Sequence, residues 1–152
     1  MTTTVRDIMS KDVQTVLPGT TLREAATLLK TWDIGSLPVC EDKRVVGIIT
    51  DRDITIRGVA EGRDPAQTRV EEVMSKNIVG VREDSDLRAA ETIMKEQQLR
   101  RLPVMNADGE LVGYLSLAKI TRNESAEESG KVIQGVSQPK QSKPSGGRTK
   151  TA

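Results

Sequence analysis

Apolar positions along the chain recur with two different periods. From Leu22 the spacing is helical: Leu22, Ala25, Ala26 and Leu29 fall at i, i+3, i+4 and i+7 and make one apolar face. Thr21-Leu-Arg-Glu24 reads as the capping box that opens this helix. The pattern then shortens to two β-rich runs, residues 35–40 and 44–49, separated by Glu41-Asp42-Lys43, which is a hairpin signal. Ahead of the helix, a helical turn ends at Met9-Ser10 and residues 13–16 read as a short strand. A second helix starts at Asp51 and is predicted to stop by Gly62, with Pro65 blocking continuation.

The whole pattern occurs twice. Val5-Arg-Asp-Ile-Met-Ser-Lys-Asp12 is matched by Val70-Glu-Glu-Val-Met-Ser-Lys-Asn77, an offset of 65 residues from Met9 to Met74. The same offset aligns Leu22 with Leu87, Ala25 with Ala90, and Leu37-Pro38-Val39 with Leu102-Pro103-Val104. After one inserted residue near Asp108-Gly109, Val46-Gly47 aligns with Val112-Gly113 and Ile54-Thr55 with Ile120-Thr121. In the second copy Leu87, Ala90 and Met94 keep the apolar helix face, and residues 102–105 and 111–115 repeat the hairpin. Each unit is β-α-β-β-α, about 55 residues, and too small to bury a core well alone. The predicted fold is therefore α+β, with two units packed sheet to sheet about a pseudo-twofold axis. The first unit spans residues 1–64 and the second 65–123; residues 124–152 form a polar, basic tail expected to be disordered, apart from a docking segment at Val132, Ile133 and Val136.

Composition narrows the function. The chain has 152 residues, 36% of them hydrophobic, with no Phe, one Trp and one Tyr, so stacking platforms for single-stranded nucleic acid are nearly absent. Of the 23 basic groups, five (Lys131, Lys140, Lys143, Arg148, Lys150) lie in the last 22 residues, which hold no acid. The rest carries 18 basic against 22 acidic groups, and this acidic body argues against nucleic acid as the main partner. The single Cys40, in an apolar run, reads as a buried, inert thiol of a reducing compartment. The polar N-terminus and the absence of a membrane-length apolar run lead to the expectation of a soluble, cytoplasmic protein. With no His, no base beside Cys40, no Gly-rich phosphate loop and no metal-ligand spacing, neither catalytic residues nor a metal site are expected.

Candidate chemistry concentrates in Ile48-Ile49-Thr50-Asp51-Arg52-Asp53, where a strand runs into a helix N-terminus. Backbone N–H groups and the positive end of the helix dipole point outward there. Thr50 adds a hydroxyl and Asp53 a carboxylate, a set suited to a sugar-phosphate: donors for phosphate and an acceptor for two ribose hydroxyls. A capping box, in which Thr50 and Asp53 satisfy each other's backbone donors, uses the same atoms. Asp51 and Asp53 could also be paired carboxylates, but Arg52 between them and the helix start favour capping and ligand contact.

The repeat resembles a tandem cystathionine β-synthase (CBS) domain pair over residues 5–122, on its early Met-Ser, its Leu-Pro-Val strand and its Val-Gly-Ile-Ile-Thr-x-x-Asp stretch. The overall order is similar to small stand-alone CBS pairs of the hypoxic-response type. The resemblance implies two clefts between the motifs that take adenosyl compounds: AMP, ADP or ATP, with S-adenosylmethionine and NAD behind them, as regulatory ligands rather than required cofactors. In one cleft Thr50 and Asp53, with Asp51, Arg52 and Ile48, would face Val79, Arg100 and Arg101. Asp53 would hold ribose hydroxyls, and the two arginines would reach phosphates through their planar donor forks. The second cleft departs from the pattern. Ser116-Leu-Ala-Lys119 replaces Thr-x-x-Asp, and its partner positions Gln14, Gly35 and Ser36 supply no basic group. One competent and one degenerate cleft are expected, with Lys119 as a weaker candidate for phosphate.

The resemblance also implies a homodimer. Together these readings describe a small sensor, not an enzyme, that signals to a separate and unknown regulated protein. The alternative is a ligand-free, stress-associated interaction protein whose Thr50–Asp53 motif is structural. Association of the basic tail with nucleic acid is a third, weaker idea.

Overall fold

A computed structural model describes residues 2–132, with side chains over residues 2–125. Helix α1 (Val5–Ile8) is a single turn, and α2 (Leu22–Trp32) is the predicted amphipathic helix. Its capping box is formed: Glu24 N donates to Thr21 Oγ1 at 3.2 Å, and Thr21 N to Glu24 Oε1 at 3.0 Å. Leu22, Ala25 and Leu29 are its buried face. β1 (Ser36–Glu41) and β2 (Arg44–Thr50) pair antiparallel through a tight turn in which Asp42 and Lys43 both take positive φ, 52° and 70°. That backbone twist matches the twist of the paired strands.

After the one-turn α3 (Asp51–Asp53), the chain departs from a simple helix. Residues Ile54–Gly58 form a π-turn and Val59–Glu61 a 3-10 turn, ending at Gly62 with φ 77°. The widened turn lays Gly58 on the buried side, where an added Cβ would stand 2.8 Å from Leu22 Cδ1.

The second copy follows as α4 (Val70–Val73), β3 (Val81–Arg82), α5 (Leu87–Gln97), β4 (Arg101–Met105), β5 (Leu111–Ser116) and α6 (Leu117–Val132). β3, β4 and β5 make a three-stranded sheet, parallel between β3 and β4 and antiparallel between β4 and β5. The two small sheets and their helices are an α+β fold.

Two predicted features differ. No strand forms over residues 13–16; Val16 alone makes a parallel bridge, to Val39, so the first sheet has two strands. The β propensity of Val13 and Val16 is interrupted by polar neighbours, and Pro18-Gly19 follow at once. Helix α6 crosses the boundary at residue 124 and continues through Val132, since Glu124, Ala126, Glu127 and Glu128 are good helix formers. The docking and disorder expected of residues 133–152 lie outside the described residues.

The cores reveal an exchange between the repeats. One cluster holds Val16, Leu22, Ala25, Leu29, Leu37, Val39, Ile49 and Ile54 together with Val70 and Val73 of the second copy. The other holds Val81, Leu87, Ala90, Met94, Leu102, Val104, Leu115 and Ile120 together with Val5 and Met9 of the first. Each lobe is thus completed by the Met-Ser segment of the other repeat. The exchange is twofold in its details: Met74 fills the space beside Gly47, and Met9 the space beside Gly113. The following serines pair likewise, Ser75 with Ile48 and Ser10 with Tyr114. Fully buried Leu22, Leu37, Ile49, Leu102 and Leu115 contribute about 1.5–3 kcal/mol each by removal from water.

Candidate functional site

β2 delivers Thr50 to the N-cap of the following turn. Asp53 N donates to Thr50 Oγ1 at 3.0 Å, and Thr50 N donates to Asp53 Oδ2 at 3.0 Å. The capping box is therefore real. It also fixes the Asp53 carboxylate, while Oδ1 receives no hydrogen bond from the described residues. Asp51 N donates to Gly35 O at 3.0 Å, tying the helix start to the bend just before β1. The second repeat copies this link, Leu117 N to Arg100 O at 2.8 Å, which makes Gly35 and Arg100 equivalent positions and Ser36 and Arg101 the next pair.

Between the lobes lies a cleft of about 1320 Å³. Of the residues singled out in the sequence, it is lined by Ile48, Thr50, Asp51 and Asp53 from the first repeat and Val79, Arg100 and Arg101 from the second. Gly35, Ser36 and Ser116 of the second half-site line the same space, so the two clefts are one continuous cavity. Three expected residues are not on its wall. Arg52 is exposed, turned away by helical geometry that sets it between the two inward positions. Gln14 is also outside the lining, on the segment that does not form a strand. Lys119 is drawn off to Ser10, its Nζ donating to Ser10 Oγ at 3.2 Å. Its backbone N–H donates to Ser116 Oγ at 3.1 Å, so Ser116 caps α6 as Thr50 caps α3.

The cleft separates charge by lobe. The first lobe brings Asp33, Asp51 and Asp53 against the single cation Lys30, and the second brings Arg100, Arg101 and Arg122. Neither Arg100 nor Arg101 is in an ion pair with any described residue. Such a cleft suits a ligand with hydroxyls at one end and anionic oxygens at the other.

Among the lining residues that escape the sequence reading are Arg122 and Tyr114. Arg122 stands one helical turn after Ala118, which also lines the cleft, so i, i+4 spacing along α6 carries its signal. Tyr114 occupies the position that the repeat register assigns to Ile48. Its hydroxyl shares a 2.8 Å hydrogen bond with Ser36 Oγ, in which either group can donate. Burial pushes the phenol above its ordinary pKa, partly offset by the Ser36 hydrogen bond and the charge of Arg101.

A second cavity, about 930 Å³, lies between α2 and the β1–β2 turn and includes Cys40. Burial holds the Cys40 thiol above its ordinary pKa, which favours the unreactive form. No group of three His, Cys, Asp or Glu side chains gathers to hold a metal among the described residues, and no helix there is long and apolar enough to cross a membrane.

The sequence profile of the CBS domain family matches residues 5–57 and matches again at residues 70–125. The chain belongs to the CBS domain family. It carries two CBS motifs. It is 40% identical over 134 residues to the CBS domain-containing protein YhcV of Bacillus subtilis, covering 88% of this chain and 94% of that one. It is 39% identical to hypoxic response protein 1 of Mycobacterium tuberculosis, covering 80% of this chain and 85% of that one. The crystal structure of Hypoxic Response Protein I with two coordinated zinc ions is similar to this CBS pair at a TM-score of 0.72, covering 80% of this chain and 98% of that chain. CBSX2 of Arabidopsis thaliana in complex with AMP is 28% identical at a TM-score of 0.73, covering 82% of this chain and 98% of that one.

Proposed function

We propose that this CBS pair is a regulatory sensor that binds an adenosyl nucleotide in the half of the cleft built by Thr50 and Asp53, and that it signals to a separate protein. One observation carries this reading: the capped helix N-terminus of one repeat and Arg100 and Arg101 of the other, which make no ion pair with a described residue, line a single cavity. Asp53 Oδ1 is open to ribose hydroxyls, the arginines to phosphate, and Ile48, Val79 and Pro103 supply apolar walls for a base. AMP, ADP and ATP fit this set best, and the AMP complex of CBSX2 supports it. A ligand touching both lobes stabilises the lobe arrangement that it fits, and its differential affinity for two arrangements is the signal. The protein acts in the cytoplasm, without catalysis, as a homodimer formed through its helical surface, where Ile56 and Val59 are exposed.

A specific observation also favours a second reading, a ligand-free interaction protein. Thr50 Oγ1 and Asp53 Oδ2 are already used by the capping box. Thermal unfolding with AMP, ADP, ATP, S-adenosylmethionine and NAD separates the two. A nucleotide at about one hundred times its Kd adds roughly 2.7 kcal/mol and raises the midpoint by several degrees. That rise is expected in the wild type and is expected to be lost in Asp53→Ala. Asp53→Ala also costs about 1 kcal/mol of capping. Asp53→Asn keeps an acceptor for Thr50 N, so its unliganded midpoint stays near wild type while the ligand shift shrinks. No shift with any compound, in protein shown to be free of bound nucleotide, favours the interaction reading.

A further inference from the structure

The pseudo-twofold axis pairs four inward positions on each sheet. On β1 and β2 they are Ser36, Pro38, Ile48 and Thr50; on β4 and β5 they are Arg101, Pro103, Tyr114 and Ser116. Within each sheet the register is the same: Ser36 opposite Thr50 and Pro38 opposite Ile48, then Arg101 opposite Ser116 and Pro103 opposite Tyr114. Prolines match prolines and capping hydroxyls match capping hydroxyls. Two pairs differ. Where one half-site has Arg101 the other has Ser36, and where one has Ile48 the other has Tyr114.

These two differences meet each other in space. The half-site around Thr50 uses Ile48 from its own lobe and Arg101 from the other. The half-site around Ser116 uses Tyr114 from its own lobe and Ser36 from the other, and those two side chains are hydrogen-bonded at 2.8 Å. A phenol is several heavy atoms longer than the Ile48 side chain and reaches across the gap to the opposite lobe. Ser36 is short enough to leave room for it and polar enough to hold its hydroxyl. An arginine at position 36 would need that same space.

We propose that Tyr114 is a built-in plug: held by Ser36, its ring bridges the two lobes across the second half-site, obstructs that end of the shared cavity and limits each chain to one nucleotide. This rests on the nucleotide reading above and names what sets its stoichiometry. The plug adds to the Thr-x-x-Asp departure at Lys119 and acts separately from it, because the Lys119 ammonium is tied to Ser10 and stands off the cleft wall.

Calorimetric titration with AMP of three chains tests it: wild type, Lys119→Asp, and Tyr114→Ile with Lys119→Asp. The last rebuilds the second half-site with the residue types of the first at the two matching positions. Ile is a strong strand former, and Asp suits the first turn of α6. Circular dichroism checks folding, and Tyr114→Val in the Lys119→Asp background replaces the Ile variant if that one is misfolded. The expected result is one equivalent of AMP per chain for wild type and for Lys119→Asp, and two for the double variant. One equivalent in the double variant overturns the plug. So does a second equivalent in Lys119→Asp alone, which makes Lys119 the barrier, or two equivalents in wild type. No saturable binding by any of the three overturns the nucleotide reading itself, and the plug with it.

Discussion

Gly47 and Gly113 sit at equivalent places, each against a methionine from the opposite repeat, yet they differ in what a side chain would meet. Beside Gly47 the neighbour is the Met74 side chain, a flexible group that can swing away. Beside Gly113 an added Cβ would also stand 2.9 Å from the backbone oxygen of Ser10, which cannot move without breaking the Ser10–Tyr114 bridge. Both alanine substitutions overpack the core, at about 1–3 kcal/mol. Gly113→Ala is expected at the upper end and Gly47→Ala at the lower, as read from urea midpoints. Tyr114 gives a second residue-scale prediction. Its phenol holds its proton to higher pH in the folded chain than in the unfolded one. Its contribution is therefore complete below the ordinary phenol pKa and falls as pH rises past it. The unfolding midpoint should drop more steeply above about pH 10 in wild type than in Tyr114→Phe, whose lost hydrogen bond costs about 1 kcal/mol at neutral pH. Equal slopes would show that the phenol is solvated.

At the scale of elements, the short α1 turn and the Met9-Ser10 that follows it matter more than their length suggests, because they close the core of the other lobe. Met9→Ala removes a buried side chain from the cluster of Val81, Leu102 and Leu115, and is expected to cost about 2–5 kcal/mol. Hydrogen exchange should accelerate first in β4 and β5, not in β1 and β2. Uniform acceleration would show that the lobes unfold as one unit. This is also where sequence reading stops. Capping boxes and helix faces were legible because Thr21–Glu24 and Leu22, Ala25 and Leu29 are local patterns. That Thr50 and Asp53 would face Val79, Arg100 and Arg101 came from the resemblance to CBS pairs and from no local pattern; the five residues line one cavity. The exchange of Val5 and Val70 was not legible, since identical Val-x-x-(Ile/Val)-Met-Ser segments fit either lobe equally well by pattern. The π-turn at Ile54–Gly58 was hidden because it uses ordinary helical residues. Tyr114 was readable in principle, as the residue that the register sets against Ile48, but its contact with Ser36 depends on how the lobes meet.

For the whole molecule, the proposed homodimer can be tested at its exposed apolar residues. Ile56 and Val59 are 46% and 58% exposed, on the segment following Asp53. Ile56→Glu with Val59→Glu should give monomers by light scattering while leaving nucleotide binding unchanged, since exposed substitutions rarely move stability by more than about 0.5 kcal/mol. A wild type that is already monomeric would remove the homodimer proposal.

The exchanged Met-Ser segments bear on how the chain comes off the ribosome. The core of the first lobe needs nothing beyond Val73 and Met74, and can close once these have been made. Val5 and Met9 are made before the rest of both repeats, yet their partners extend to Ile120, so they wait until the second repeat is complete before they are buried. The segment that opens the first repeat is thus enclosed only with the second. Any cellular factor that clasps this N-terminal turn during translation would delay the second lobe without touching the first.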